Sequence, residues 1–208
     1  QKVPPSPQST ATAAVASSSK ARKAAARASA VGLSTAFGCT IQGRVEEDEV
    51  LRMLAASEHD TSFGYMVNNY RHCLQSATMV LRDGLPEEDV VVALLHDVGF
   101  IACPLLHGDF AASLLGAYVS DRNHWMLRHH ATFQNLHSPN MPGVDQHERE
   151  RWRGNPYFAW TAEFVARYDQ AAADPAYPCE PIETFVPMVQ AIFSRPPVDR
   201  RSIKQEIS

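Results

Sequence analysis

The residues with most chemistry to offer lie where an apolar run ends: VVVALLHDVG carries His96 and Asp97 side by side. Adjacent positions on a helix diverge by about 100°, so the two side chains cannot share one face. They can straddle a metal pair, with His96 on one ion and the two oxygens of Asp97 bridging to a second, since two-metal sites hold their ions about 3.5–4 Å apart. Imidazole combined with carboxylate suits iron, manganese or zinc rather than calcium or copper(I). A histidine and an aspartate at a helix terminus also serve as cap and dipole partners, so the pair alone leaves both readings open. His72 adds weight to the metal reading. It shares a helix face with Ser76, Met79 and Val80, the inward i+4, i+7 and i+8 positions, which aims its imidazole at the core.

Helices must position these groups, because beyond Arg44 the punctuation is helical and no period-two strand pattern is found. The expected helices span residues 46–57 and 68–83, the latter closed by Gly84 as a C-terminal cap. Pro86, Glu87 and Glu88 open a third, which meets the His-Asp pair and stops at Gly99. A fourth covers 107–119, and a fifth starts near Ser120 and passes through WMLRHH into a polar loop reaching Gln146, a candidate lid. Asn155 and Pro156 suit an N-cap and first turn for a helix through Asp169. The last helix covers 182–193, with Pro187 expected to kink or open it. The expected fold class is all-α.

A chain of 208 residues suffices for one core, so one domain over residues 45–208 is expected, preceded by a tail over 1–44. The first 30 residues are mostly Ala, Ser, Thr and Pro, a composition that points to disorder. Residues 1–45 hold six basic and no acidic side chains, so this segment reads either as a bland linker or, by resemblance, as an organelle transit peptide, which sets cytoplasm or an organelle as the expected location. The remainder has 13 basic and 23 acidic residues. An acidic body without a basic stripe argues against nucleic acid as partner and for a small molecule. Cys39, Cys73, Cys103 and Cys179 form no C-x-x-C pair and read as reduced intracellular thiols. No apolar run approaches the roughly 18 residues of a membrane span, so no membrane partner is expected.

Over about residues 60–197 the order of His72, the His96-Asp97 pair and the segments that follow resembles the HD-domain metalloprotein superfamily. HGDFAASLL is similar to that family's third segment and nominates His107; WMLRHHATFQ is similar to its fourth and nominates His130; YFAWTAEFVARYDQAAADPAY is similar to its last and nominates Asp169. Within RHH, His130 shares its face with Met126, Leu127 and Gln134, so it is taken as the ligand and His129 as a neighbour, with the reverse as the alternative. His59, His124, His137 and His147 lie in polar surroundings and read as surface residues. The resemblance implies an HD-domain helical bundle that holds two metals on His72, His96, Asp97, His107, His130 and Asp169, with His96 and Asp97 at the heart of catalysis.

Two activities occur on such ligand sets. Phosphoester hydrolases of the superfamily commonly add a lysine just after the His-Asp pair, whereas HDVGF puts Phe100 there. The pattern is closer to the mixed-valent di-iron oxygenases, myo-inositol oxygenase and the enzymes that cleave hydroxy-phosphonates. That resemblance implies Fe2+ and Fe3+ as cofactors, with His72, His96, Asp97 and Asp169 on one ion and His107, His130 and the bridging Asp97 on the other. Its reactants would be dioxygen and a small hydroxylated, even phosphonate, substrate. A phosphohydrolase using Mn2+ or another divalent metal is the alternative. Gln134 stands where the phosphonate-cleaving enzymes have a lysine, and FGYMVNNYRH lacks their lid glutamate, carrying Tyr65 and Asn69 instead. These departures allow a neutral or differently charged substrate. Gln75, Gln134, Tyr65 and Asn69 are the expected ligand-orienting or substrate contacts.

Overall fold

A helix that is apolar on every side must sit in the middle of its neighbours. The third helix among the described residues, α3 (Glu87–Leu95), is such a helix after its acidic first turn: residues 90–95 are all apolar and buried, and it is packed by three other helices. The computed structural model describes residues 47–60, 66–138 and 142–200, and within them the protein is all-α with no strand. The expected tail over 1–44 and Tyr65 lie outside the described residues.

Around α3 stand α1 (Glu47–Ala56), α2 (Asn69–Arg82), α4 (His107–Leu115), α5 (Asp121–Gln134), α6 (Phe158–Phe164) and α7 (Ile182–Phe193), with α2, α5 and α7 in contact with it. Capping chemistry sets several ends. Asn68 accepts the Arg71 amide at 2.8 Å to start α2, and Ser120 accepts the Asn123 amide at 3.4 Å to start α5. Gly84, at φ +71°, turns the chain after α2, a backbone region open to glycine at little cost.

The structure departs from the sequence expectations at several helix ends, α3 stopping at Leu95 and not at Gly99. The fourth helix stops at Leu115 rather than running to 119, because Gly116 and the residues after it turn back toward α5. Asn155 does not cap a helix; its side chain accepts the Tyr157 amide at 2.8 Å within a turn, and α6 begins at Phe158. α7 continues through Pro187, held by the buried Phe185, Val189, Ile192 and Phe193 on its core face. In the polar stretch after α5, residues 135–137 form a short 3-10 turn, Gln146 donates to the Leu136 carbonyl at 3.1 Å, and residues 139–141 lie outside the described residues.

A feature absent from the sequence expectations follows α6. Residues Val165–Asp169 wind as a π-helix, one residue wider per turn than the α-helix before them. The Ser76 hydroxyl of α2 donates to the Tyr168 carbonyl at 2.7 Å, satisfying backbone that the wider turn frees. This insertion delivers Asp169 and Ala172 to the middle of the bundle.

Among the described residues, no helix is long and apolar enough to cross a membrane.

Candidate metal centre

Four imidazoles and two carboxylates meet where the C-terminal end of α3 faces α2, α4, α5 and the π turn. His72 comes from α2, His96 is the residue that ends α3, and Asp97 lies in the turn beyond it. His107 is the first residue of α4, His130 lies in α5, and Asp169 closes the π turn. The six residues that the sequence nominated are therefore brought together.

They form two halves joined by one carboxylate. Nε2 of His72 and Nε2 of His96 are 3.1 Å apart, and both face Asp169 Oδ1, at 3.4 and 3.7 Å. Nε2 of His107 and Nε2 of His130 are also 3.1 Å apart. Asp97 serves both pairs: Oδ1 lies 3.2 Å from His107 and 3.1 Å from His130, while Oδ2 lies 3.6 Å from both His72 and His96.

The other ring nitrogens fix the chemistry of this meeting. Each Nδ1 faces a backbone carbonyl: His72 that of Ala172 at 3.0 Å, His96 that of Ala93 at 2.8 Å, His107 that of Pro104 at 2.7 Å and His130 that of Leu127 at 2.7 Å. A carbonyl only accepts, so every Nδ1 carries hydrogen and every neutral ring turns an Nε2 lone pair inward. Two lone pairs facing each other at 3.1 Å need something positive between them. Each pair must take up a proton or share a cation.

The surroundings favour a cation. Asp97 and Asp169 are 3% and 1% exposed, and two buried carboxylates are costly unless positive charge offsets them. Asp169 Oδ2 is buried without a hydrogen-bond partner, an orphan that a metal ligand explains. Two imidazole nitrogens each about 2.0–2.1 Å from one ion stand roughly 3 Å apart, as both pairs here do. The donor set, nitrogen and oxygen without a thiolate, fits iron, manganese or zinc. Two triads, His72 with His96 and Asp169, and His96 with Asp97 and His130, have ligand atoms close enough to hold one ion each.

Without metal, protons take its place. Burial opposes charge on His96, but the carboxylates of Asp97 and Asp169 outweigh it and bring its pKa up to about 9. Burial likewise opposes ionisation of Asp97, yet the His96 charge and the His130 hydrogen bond hold its carboxyl well below the usual range. Asp169 is lowered against burial by hydrogen bonds from His72 and His96. His107 moves the other way, because burial keeps its imidazole neutral. Metal binding in a pocket of this kind would release the bound protons.

No protein-family model and no curated protein matches this chain. The functional reading therefore rests on the site itself.

The remaining nominated residues divide. Gln134 donates through Nε2 to Asp169 Oδ1. Asn69, nominated beside substrate, is fully buried and donates to the Asp97 backbone carbonyl at 2.9 Å, which makes it a positioning residue for the bridging carboxylate. Gln75 has both ends of its amide on the Asp174 backbone, donating to its carbonyl at 2.7 Å and accepting its amide at 3.2 Å, so it anchors the segment after the π turn and is not turned to substrate. His129 lies between the rings of Trp125 and Trp152, centroids 4.3 and 4.4 Å away, and burial brings its pKa down to about 4.

Sequence reasoning missed the carbonyls that orient the histidines. Three of them belong to the residue three positions earlier, as Ala93 to His96, Pro104 to His107 and Leu127 to His130. That local spacing is a usable signal; Ala172, 100 positions beyond His72, leaves none. Gly108 was also missed. A Cβ there would stand 2.8 Å from the Leu127 carbonyl oxygen that holds His130, so glycine lets α4 and α5 approach closely enough for their histidines to meet.

Proposed function

We propose that the protein is a two-metal oxygenase of the HD type that oxidises or cleaves a small hydroxylated substrate with dioxygen. One observation carries the metal reading: two pairs of inward Nε2 atoms at 3.1 Å, joined by a single carboxylate with one oxygen toward each pair. His72, His96, Asp97 and Asp169 would hold one ion; His107, His130 and Asp97 would hold the other. When bound, a mixed-valent iron pair supplies Lewis acidity toward a substrate hydroxyl and one-electron chemistry toward dioxygen.

The chain's own part is to preset ligand geometry, exclude water and move few atoms. The four Nδ1–carbonyl hydrogen bonds fix the rings before metal arrives, and Asn69 fixes the Asp97 backbone. Phe164 packs edge-on against His96 with centroids 5.6 Å apart, and keeps that side of the pocket dry. The choice of oxidation over phosphoester hydrolysis is supported by Phe100, whose ring lies 5.3 Å from that of His107. An apolar ring at this position offers nothing to neutralise a phosphoryl group.

The test is anaerobic purification, elemental analysis, and electron paramagnetic resonance of the partially oxidised protein. Two irons per chain with a coupled Fe2+/Fe3+ signal, perturbed by hydroxylated small molecules, support the reading. Iron without such a signal, together with manganese-dependent phosphate release from a phosphate monoester, would replace it with a phosphohydrolase.

A further inference from the structure

We propose that residues 195–200 are a latch that holds α4 in place and so decides whether the second ion, the one on His107, His130 and Asp97, is kept; the inference rests on the metal reading above. α4 is the ligand-bearing helix with least to hold it. Its main helix neighbour is α5, whereas α3, which ends in His96, is packed by α2, α5 and α7. The ligand that α4 brings, His107, is also the most open, its side chain 13% exposed against 0–4% for the other five.

The latch closes on the far end of that helix. Gly116, Ala117, Tyr118 and Val119 lead from α4 toward α5, and each of their four carbonyls accepts from residues 195–200. Arg200 donates through Nε to Gly116 and through Nη2 to Val119 at 2.6 Å, the Val198 amide donates to Ala117 at 2.8 Å, and Arg195 Nη1 donates to Tyr118 at 3.2 Å. Arg200 also pairs with Asp121 in the first turn of α5. Arg195 pairs at 2.6 Å with Glu88 in the first turn of α3, whose other oxygen accepts the Ser120 amide at 2.8 Å. One segment therefore ties the α4–α5 turn to the central helix. Little apolar contact backs these bonds: Val198 is 51% exposed, and a cavity of about 400 Å3 lies between Val198 and Arg200 on one side and Ala112, Ser113 and Gly116 of the α4 end on the other. Three carbonyls and two carboxylates thus depend on two guanidinium groups. With the latch open, α4 pivots on α5 and draws His107 from His130, while His72, His96 and Asp169 keep their places on α2, α3 and the π turn.

The experiment is calorimetric titration of the metal-free full chain with Fe2+ under anaerobic conditions, in wild type, Arg200→Ala, Arg195→Gln and, for reference, His107→Ala. Wild type is expected to take up two equivalents. Arg200→Ala should hold the first within about threefold and weaken the second by at least about tenfold, the worth of one hydrogen bond from a charged group, in the pattern of His107→Ala. An arginine that is merely structural would lower the urea midpoint and leave both equivalents as they were, or weaken the two together; either result overturns the latch alone. If Arg200→Ala does not fold, Arg195→Gln decides by the same criterion. Wild type that takes up fewer than two equivalents overturns this inference and the proposed function together.

Discussion

Asn69 reaches across from the first turn of α2 to donate to the backbone carbonyl of Asp97, 28 residues away, at 2.9 Å. The bond lies in the turn beyond the end of α3. Cys73, one turn further along α2, donates through Sγ to the Asn69 side-chain oxygen Oδ1 at 3.8 Å and completes a buried chain behind Asp97. The Phe100 amide also donates to that carbonyl at 2.9 Å, so Asn69→Ala removes one of its two hydrogen bonds and should cost about 0.5–1.5 kcal/mol of stability in urea unfolding. Metal affinity should fall with it. Unchanged metal affinity would remove Asn69 from the positioning of Asp97.

Asp97 turns one oxygen toward each histidine pair of the centre. Asp97→Asn keeps the volume but loses the bridging charge, and should lower metal content at both positions, not one. Elemental analysis of the purified variant checks this; retention of one full equivalent would mean that the two halves bind independently.

The metal-free protein should lose stability as the solution becomes alkaline. His96, with its pKa near 9 against an ordinary 6.5, holds a proton in the fold that the unfolded chain releases. Its contribution is complete below pH 6.5 and disappears as pH rises through about 9. Asp97 and Asp169 behave oppositely, contributing above the ordinary 3.8 and losing that contribution in acid. Bound metal would replace the protons, so a metal-loaded protein should hold its stability from pH 6.5 to 9 while the stripped protein weakens. Parallel urea titrations of the two forms that stay superimposable across this range would contradict the proton–metal exchange.

His129 supplies an acid-side counterpart. Burial, then the Arg128 charge, brings its pKa to about 4, below the ordinary 6.5. Protonation of the unfolded chain thus costs stability as pH falls through this window. His129→Phe keeps an aromatic ring between Trp125 and Trp152 and removes the titrating group. Its stability relative to wild type should improve from pH 7 to pH 5; a difference independent of pH would show that the imidazole is not held neutral.

Gly108→Ala should push α4 from α5. The added Cβ meets the Leu127 carbonyl oxygen at 2.8 Å and the His130 ring at 3.4 Å, and backbone cannot yield as a flexible side chain does. Overpacking of this kind costs about 1–3 kcal/mol. The measurement is paired: midpoint of urea unfolding, and metal content, with both expected to drop.

The pattern of apolar residues by itself determined that α3 is central and that a His-Asp pair lies at its end, because an all-apolar run can only be buried on every side. Helical spacing also turned His72 inward and chose His130 over His129, since each shares its face with core residues. Spacing encodes which face is buried but not which atom it meets. Only the tertiary structure decided that Asp97 divides its two oxygens between two histidine pairs, that Ala172 turns His72 Nε2 inward, and that Gln75 and Asn69 serve backbone groups. The π turn that delivers Asp169 depends on a Ser76 hydroxyl 92 positions earlier in the chain. Such long-range partners set the torsions of the ligands, and no local sequence pattern carries them.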